Sequence, residues 1–428
     1  MGLLLDIAYI IAGIIAFPFY YVRLRRTGRG LGQIFARLKV PPRFDPHHYR
    51  VWIHAVSVGE VLAAIPLTDA LTTLLPPDVE IVLSVSTTSG MEIARQKMPH
   101  IPAFYCPLDL SLLMGSTFRR VDPSVLVLME LELWPNMLGQ ARRRKIPVIV
   151  VNGRISERSE KGYRKLGWFF RRMTRRISMF GVQNHAYAMR LLGLQVPEDR
   201  VAILGNVKYD LALRSPASEK IEYLRRILGV TKGEPVFLAG STHPGEEEVV
   251  IKAYRRLKEK FSNLRLIIVP RHPGRAKDVV ALLGNLPHVL RSELEKGVAI
   301  EKRVIVGDVM GELATMYYAS TVVFVGGSLI DHGGQNPLEP AAAGRPMVLG
   351  PHMFNFAAET DLLKEAGAAV EVHDADTMYD VLCKWLSDPA EASSKGLAGY
   401  EAISHHKGAA LRYAEVIRKY LAETMTTV

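Results

Sequence analysis

The sequence predicts an α/β protein built from two doubly wound, Rossmann-like domains facing a cleft, with an N-terminal membrane-anchor helix. Three observations predict it. Short apolar, β-branched runs recur along the chain, many followed by a small-residue turn and a helical pattern. The stretch Ala212-Leu-Arg-Ser-Pro-Ala-Ser218 interrupts that rhythm as a linker would. Residues 3–22 are apolar apart from Asp6, about the 20 residues a bilayer-spanning helix needs.

The anchor comes first. Tyr20 and Tyr21 suit a membrane interface, and Arg23, Arg25, Arg26 and Arg29 follow at once, which places the C-terminal side in the cytoplasm. Positive charge does not precede the apolar stretch and no small-residue cleavage site follows it, which excludes a signal peptide. Asp6 and Pro18 leave both a spanning helix and a monotopic anchor open. The expected domains are therefore residues 1–25 as anchor, 26–212 as a first Rossmann-like domain and 213–428 as a second, with the last helix able to pack back on the first.

Within the first domain the runs 51–55, 80–85, 125–129, 146–151, 178–183 and 201–204 read as strands of a parallel sheet buried on both faces. After the first comes His54-Ala-Val-Ser-Val-Gly-Glu60 and then a helical pattern, so Glu60 stands at a helix start on the ligand-binding edge. There it is either an acid favoured by the helix dipole or a base able to take a proton from a hydroxyl. Glu130-Leu-Glu132 follows the strand 125–129, and two extended residues of that spacing share a face. Gly205-Asn-Val-Lys208 follows 201–204. Glu130 and Lys208 could serve group transfer from an anionic donor or form a structural ion pair.

In the second domain the runs 236–239, 264–269, 304–306, 321–325, 347–349 and 369–372 repeat the pattern. Three turns on their outgoing edge stand out: Pro270-Arg271-His272, Val309-Met310-Gly311, and Asn336-Pro337-Leu338-Glu339 at the end of a glycine-rich segment beginning at Gly326. Asparagine before proline is a helix-start signal, the glycines ahead of it allow a nucleotide phosphate to approach the backbone there, and Glu339 one turn later could bond ribose hydroxyls. The chain has no GxGxxG and no GxxxxGK[ST], so a dinucleotide or P-loop reading lacks support.

Bulk properties narrow the partners. The 428 residues carry a formal charge of +11. Residues 142–176 alone hold thirteen Lys or Arg against two acids, interleaved with Tyr163, Trp168, Phe169 and Phe170. Such a stretch suits an anionic membrane or lipid, with nucleic acid as rival and a solvated helical face as the plain alternative. Cys106 and Cys383 provide no disulfide framework, and no His, Cys or Asp cluster calls for a metal.

Taken together, His54–Glu60, Glu130-Leu-Glu-Leu-Trp-Pro-Asn136, Asn152-Gly-Arg-Ile-Ser156, Gly205–Lys208, Pro270–Pro273, Gly307–Glu312 and Asn336–Glu339 resemble, in order, the motifs of the 3-deoxy-D-manno-octulosonic acid (Kdo) transferases. The resemblance implies a GT-B-type, inverting glycosyltransferase of lipopolysaccharide biosynthesis. It implies transfer of Kdo from CMP-Kdo to lipid IVA, the lipid A precursor, at the cytoplasmic face of the inner membrane. By position, Glu60 resembles the general base, and Glu130 and Lys208 the residues that steady the transition state. Pro270, Arg271, His272, Val309, Met310, Gly311, Asn336, Pro337, Leu338 and Glu339 resemble the CMP-binding elements. The implied partners are CMP-Kdo, lipid IVA and an anionic membrane surface, with no cofactor, metal, nucleic acid or obligate protein partner. A GT-B enzyme using a UDP-sugar and a membrane-tethered nucleic-acid binder are the competing readings.

Overall fold

The computed structural model describes residues 6–7, 9–11, 15, 32–231, 233–295 and 303–426. Seven parallel strands form the first sheet: β1 (Tyr49–Ala55), β2 (Val79–Val85), β3 (Ala103–Tyr105), β4 (Val125–Met129), β5 (Val148–Gly153), β6 (Met179–Val182) and β7 (Val201–Ile203). Their order is β3-β2-β1-β4-β5-β6-β7. Runs such as Val-Leu-Val-Leu-Met in β4 are wholly buried, as expected when helices cover both faces. Strand order reverses between β1 and β4, so the chain leaves these neighbours toward opposite sides and opens a crevice at their outgoing ends.

A second parallel sheet contains β8 (Val236–Thr242), β9 (Arg265–Pro270), β10 (His288–Leu290), β11 (Val304–Val306), β12 (Val322–Val325), β13 (Met347–Leu349) and β14 (Ala369–Glu371). Its order is β10-β11-β9-β8-β12-β13-β14, with the reversal between β8 and β12.

The chain divides into two compact units. One runs to Leu211 and regains the chain from Gly408; the other is Ala212–Lys407. The returning helix, Ala409–Met425, buries Tyr413, Ala414, Ile417 and Leu421 in the same core as Val61, Ala64 and Leu67 of the helix Val58–Leu74. Asp210 holds its start, accepting the Gly408 and Ala410 N–H groups at 2.6 and 3.0 Å. Gly181 in β6 makes room for it, because a Cβ there would stand 2.3 Å from the Tyr413 ring. The Tyr413 hydroxyl donates to the Gly205 carbonyl at 2.9 Å.

Most of the predicted anchor, residues 3–22, lies outside the described residues. Among the described residues no helix is long and apolar enough to cross a membrane. Asp6, the one charge in that segment, is buried against the first unit. It accepts from the Ser111 N–H at 2.9 Å, the Asn136 amide at 3.0 Å and the Ser111 hydroxyl. Ser111 and Asn136 begin helices that follow β3 and β4, so this tether lies on the outgoing edge of the sheet. Ile10, Ile11 and Ile15 are exposed.

Candidate functional site

Each sheet offers a site at its reversal point. In the first unit, Ser57 is the N-cap of the helix Val58–Leu74 and Glu60 closes a capping box with it. The Glu60 carboxylate accepts from Val56 N–H at 2.7 Å on Oε2. On Oε1 it accepts from Ser57 N–H at 3.2 Å and the Ser57 hydroxyl at 2.8 Å. A carboxylate has about four lone-pair sites. Three are filled, and one on Oε2 remains. Glu60 is only 6% exposed. Burial pushes its pKa up to about 7, against the lowering hydrogen bonds from Val56 and Ser57, and the nearby Glu132 and Glu130 charges raise it further. Desolvation thus outweighs the cap, which alone would leave a weak base. The same glutamate is both the helix cap and a carboxylate poised near neutrality.

Glu130 and Glu132 do not share an extended face, which corrects the sequence expectation. β4 ends at Met129, and Glu130 adopts a left-handed φ of 58°. That conformation costs a non-glycine residue about 1 kcal/mol or more, and strain of this kind collects where a side chain must be aimed. Its N–H is held by the Val151 carbonyl at 2.8 Å. The ion pair of Glu130 is with Arg154, at 3.7 Å, and not with Lys208. Glu132, whose carboxyl is raised by burial and then by Glu130, stands before Glu130 among the charges acting on Glu60. The sequence motif contained Glu132 and Arg154 but gave no sign of these roles.

Lys208 follows β7, three strands from β4, or about 14 Å at the usual strand spacing. Asn152, at a left-handed φ of 57°, ties the end of β5 to the start of the Lys208 helix by accepting the Val207 N–H at 3.2 Å. His54 lies behind the site. It is buried, bonded through Nδ1 to the Ser84 hydroxyl at 2.8 Å, and burial lowers its pKa to about 3, so it is neutral packing rather than acid or base.

In the second unit the glycine-rich segment departs from its sequence reading. The N–H groups of Gly327, Ser328 and Leu329 make a small anion nest, but Glu246 fills it, at 2.7, 2.9 and 3.0 Å. Glu246 also accepts the His243 N–H at 2.9 Å. It is fully buried, and the sequence signal for it was three glutamates opening the helix after β8. Gly326 allows β8 and the loop to touch, since a Cβ there would meet the Ser241 carbonyl oxygen at 2.3 Å.

Two histidines, Arg271 and the Asn336–Glu339 loop make up the rest of this edge. The His243 and His332 rings lie 4.2 Å apart, one after β8 and one after β12. Burial first, then His332, Arg271 and His272, lower the His243 pKa. Arg271 and His272 are exposed after β9, while Pro270 is buried. Arg271 also acts on Glu339, whose pKa burial raises. The Asn336 amide donates to Glu339 at 3.3 Å, and its carbonyl accepts the Leu338 N–H at 3.1 Å. The helix there starts at Leu338 and has five residues, so Asn336 stands one place before the cap and Pro337 is the cap itself. Pro337 and Leu338 are buried and hold the loop, leaving Asn336 and Glu339 as its polar face. Val309–Gly311 is suspended between fixed ends. Asp308 accepts the Ser292 N–H at 2.8 Å, and Glu312 takes buried Arg291 in two bonds of 2.8 and 2.9 Å. Met310 between them is 71% exposed.

Solved structures resemble the whole architecture. A UDP-GlcNAc 2-epimerase from Neisseria meningitidis matches with a TM-score of 0.59 at 12% identity, over 87% of this chain and all of the other. A glycosyltransferase from Rickettsia africae matches with a TM-score of 0.58 at 12% identity, over 89% of this chain and all of the other. These likenesses define the class by fold: a GT-B-like α/β architecture. Sequence comparison is more specific. The family described as "3-Deoxy-D-manno-octulosonic-acid transferase (kdotransferase)" matches residues 31–211. A 3-deoxy-D-manno-octulosonic acid transferase of Haemophilus influenzae is 36% identical over 87% of both chains. One of Bordetella pertussis is 31% identical over 93% of this chain and 94% of the other. The chain belongs to the Kdo transferase family and is a glycosyltransferase.

Proposed function

We propose that this enzyme transfers Kdo from CMP-Kdo to lipid IVA with inversion at the anomeric carbon. The observation that carries the reading is Glu60: buried, raised to about 7, and with one Oε2 lone pair unclaimed at the reversal point of its sheet. The acceptor hydroxyl gives its proton to Glu60, its oxygen bonds to the anomeric carbon, and the sugar–phosphate bond breaks with its electron pair leaving on CMP. Arg271, His272 and the His243–His332 pair supply donors for the donor's negative charge, and Asn336 and Glu339 bond its ribose. Lys208 and Glu130 steady the developing charges, with Arg154 holding Glu130 in place.

The reaction belongs at the cytoplasmic face of the inner membrane. The Asp6 tether lies on the edge that carries Glu60, and Ile10, Ile11 and Ile15 beyond it are exposed, which supports delivery of a lipid acceptor to that edge. Incubation with CMP-Kdo and lipid IVA should release CMP and add Kdo mass to the lipid. Absence of both from folded protein overturns the reading, and protection against unfolding by UDP but not CMP points to a UDP-sugar donor instead.

A further inference from the structure

The basic stretch 142–176 does not form one surface. β5 runs through its middle, so Arg154, Arg158, Lys161, Arg164 and Lys165 follow the strand on the Glu60 edge. Arg142–Lys145 and Arg175–Arg176 lie at the opposite edge, about 20 Å away at the rise of a six-residue strand. There the incoming ends of β5, β6 and β7 and the last turns of the helix Ala409–Met425 enclose a groove of about 870 Å³. That volume is in the range of small-molecule sites.

Its lining is charged beyond structural need. Arg142, Lys145, Arg175 and Arg200 line it, against Asp199 and Glu423, a net of +2; Arg144 and Arg176 line it with their stems. The Arg200 guanidinium is fixed by the Ile177 carbonyl at 3.4 Å. The Arg176 head turns away to the Pro135 carbonyl at 2.8 Å, and the Arg144 head lies against the Gly115 carbonyl and the Phe118 ring. Clustered cations in a concavity are stabilised by an anion with several oxygens able to bridge them.

We propose that this groove is a second binding site, separate from the transfer site, for a phosphate-rich anion: an oligophosphate or a multiply phosphorylated headgroup. The apolar N-terminal segment is tethered on the other edge of the sheet, so the groove does not share the edge that holds the tether.

The test uses the full-length protein and inorganic tripolyphosphate at constant ionic strength, with titration calorimetry and thermal unfolding, beside sedimentation with phosphatidylglycerol vesicles. Saturable 1:1 tripolyphosphate binding is expected. Arg142→Glu with Arg175→Glu, both exposed, takes the groove from +2 to −2 and should weaken binding tenfold or more while leaving Kdo transfer and the unliganded Tm unchanged. Loss of tripolyphosphate binding with vesicle binding intact identifies a soluble anion; loss of both identifies a lipid headgroup. No saturable binding up to millimolar tripolyphosphate, binding unchanged in the double variant, or a groove-dependent shift of RNA alone overturns the proposal. The binding is read without donor or acceptor, so its failure leaves the transfer reading untouched, and failed transfer leaves the groove untouched.

Discussion

Glu60→Gln separates two effects that Glu60 combines. A carboxyl raised from 4.5 to about 7 favours its protonated form in the folded state. The stability that goes with that preference is full below about pH 4.5 and is lost as the pH rises to about 7. Over that interval the native state loses about 3 kcal/mol, at about 1.4 kcal/mol per pH unit. Glutamine has no charge to bury, so it escapes this loss. It keeps one acceptor oxygen where Glu60 serves Val56 and Ser57 with two, which costs about 1 kcal/mol of cap. The variant should therefore match the wild type in urea unfolding at pH 5 and exceed it by about 2 kcal/mol at pH 9. In the same preparation the turnover number should fall by about 10²–10⁴, since the proton of the acceptor hydroxyl has nowhere to go. A stability difference that is the same at pH 5 and pH 9 refutes the burial argument. A turnover number within about threefold of wild type refutes the base.

Glu132→Gln removes the first of the like charges acting on Glu60, so the rising limb of the kcat/KM–pH profile should move to lower pH, with the unfolding curve little changed. Gly181→Ala puts a methyl group into the Tyr413 ring and should destabilise the first unit by about 1–3 kcal/mol in urea. Glu246→Ala strands four N–H donors and should cost the second unit about 2–4 kcal/mol, abolishing CMP binding by titration calorimetry at temperatures where the wild type binds. Arg271→Ala should weaken CMP about tenfold or more in the same assay while leaving the unfolding temperature unchanged, because its side chain is exposed.

Most strands were readable because a parallel sheet covered on both faces must be apolar on both, as Val-Ile-Val-Val in β5 is. β3 and β10 escaped, although the equally short β11 did not, because Ala-Phe-Tyr holds no β-branched residue and His-Val-Leu only one, where β11 is Val-Ile-Val. Glu60 could be placed at a helix start from spacing alone, but its tuning could not, because desolvation depends on what folds over it from β4. The glycine-rich segment misled for a related reason. Its sequence announces N–H groups free to hold an anion, and nothing local says that Glu246, some 80 residues earlier, holds them already. The charge of residues 142–176 was visible as a sum, while its division between two edges depended on the exact place of β5.

Glu60 and Glu246 show why position alone does not assign chemistry. Each follows the first strand at its sheet's reversal point and sits in the first turn of a helix. Each is raised by burial. The difference is in the lone pairs. Glu246 receives four backbone N–H groups, two on each oxygen, and is fully enclosed. It has no electron pair to offer a proton and no path for a substrate to reach it. Its charge is spent on holding the β12 loop against β8. Glu60 receives three donors, keeps one site on Oε2 and has two further carboxylates beside it that make the charged form costly. A base needs both an unclaimed lone pair and a pKa near the working pH, and only Glu60 has the first. Supplying Glu60 with a fourth internal donor should therefore silence it without unfolding anything. Val61, packed beside it at the start of the helix, is buried in the core, so the donor has to come from the substrate side. That is the place an acceptor hydroxyl would occupy.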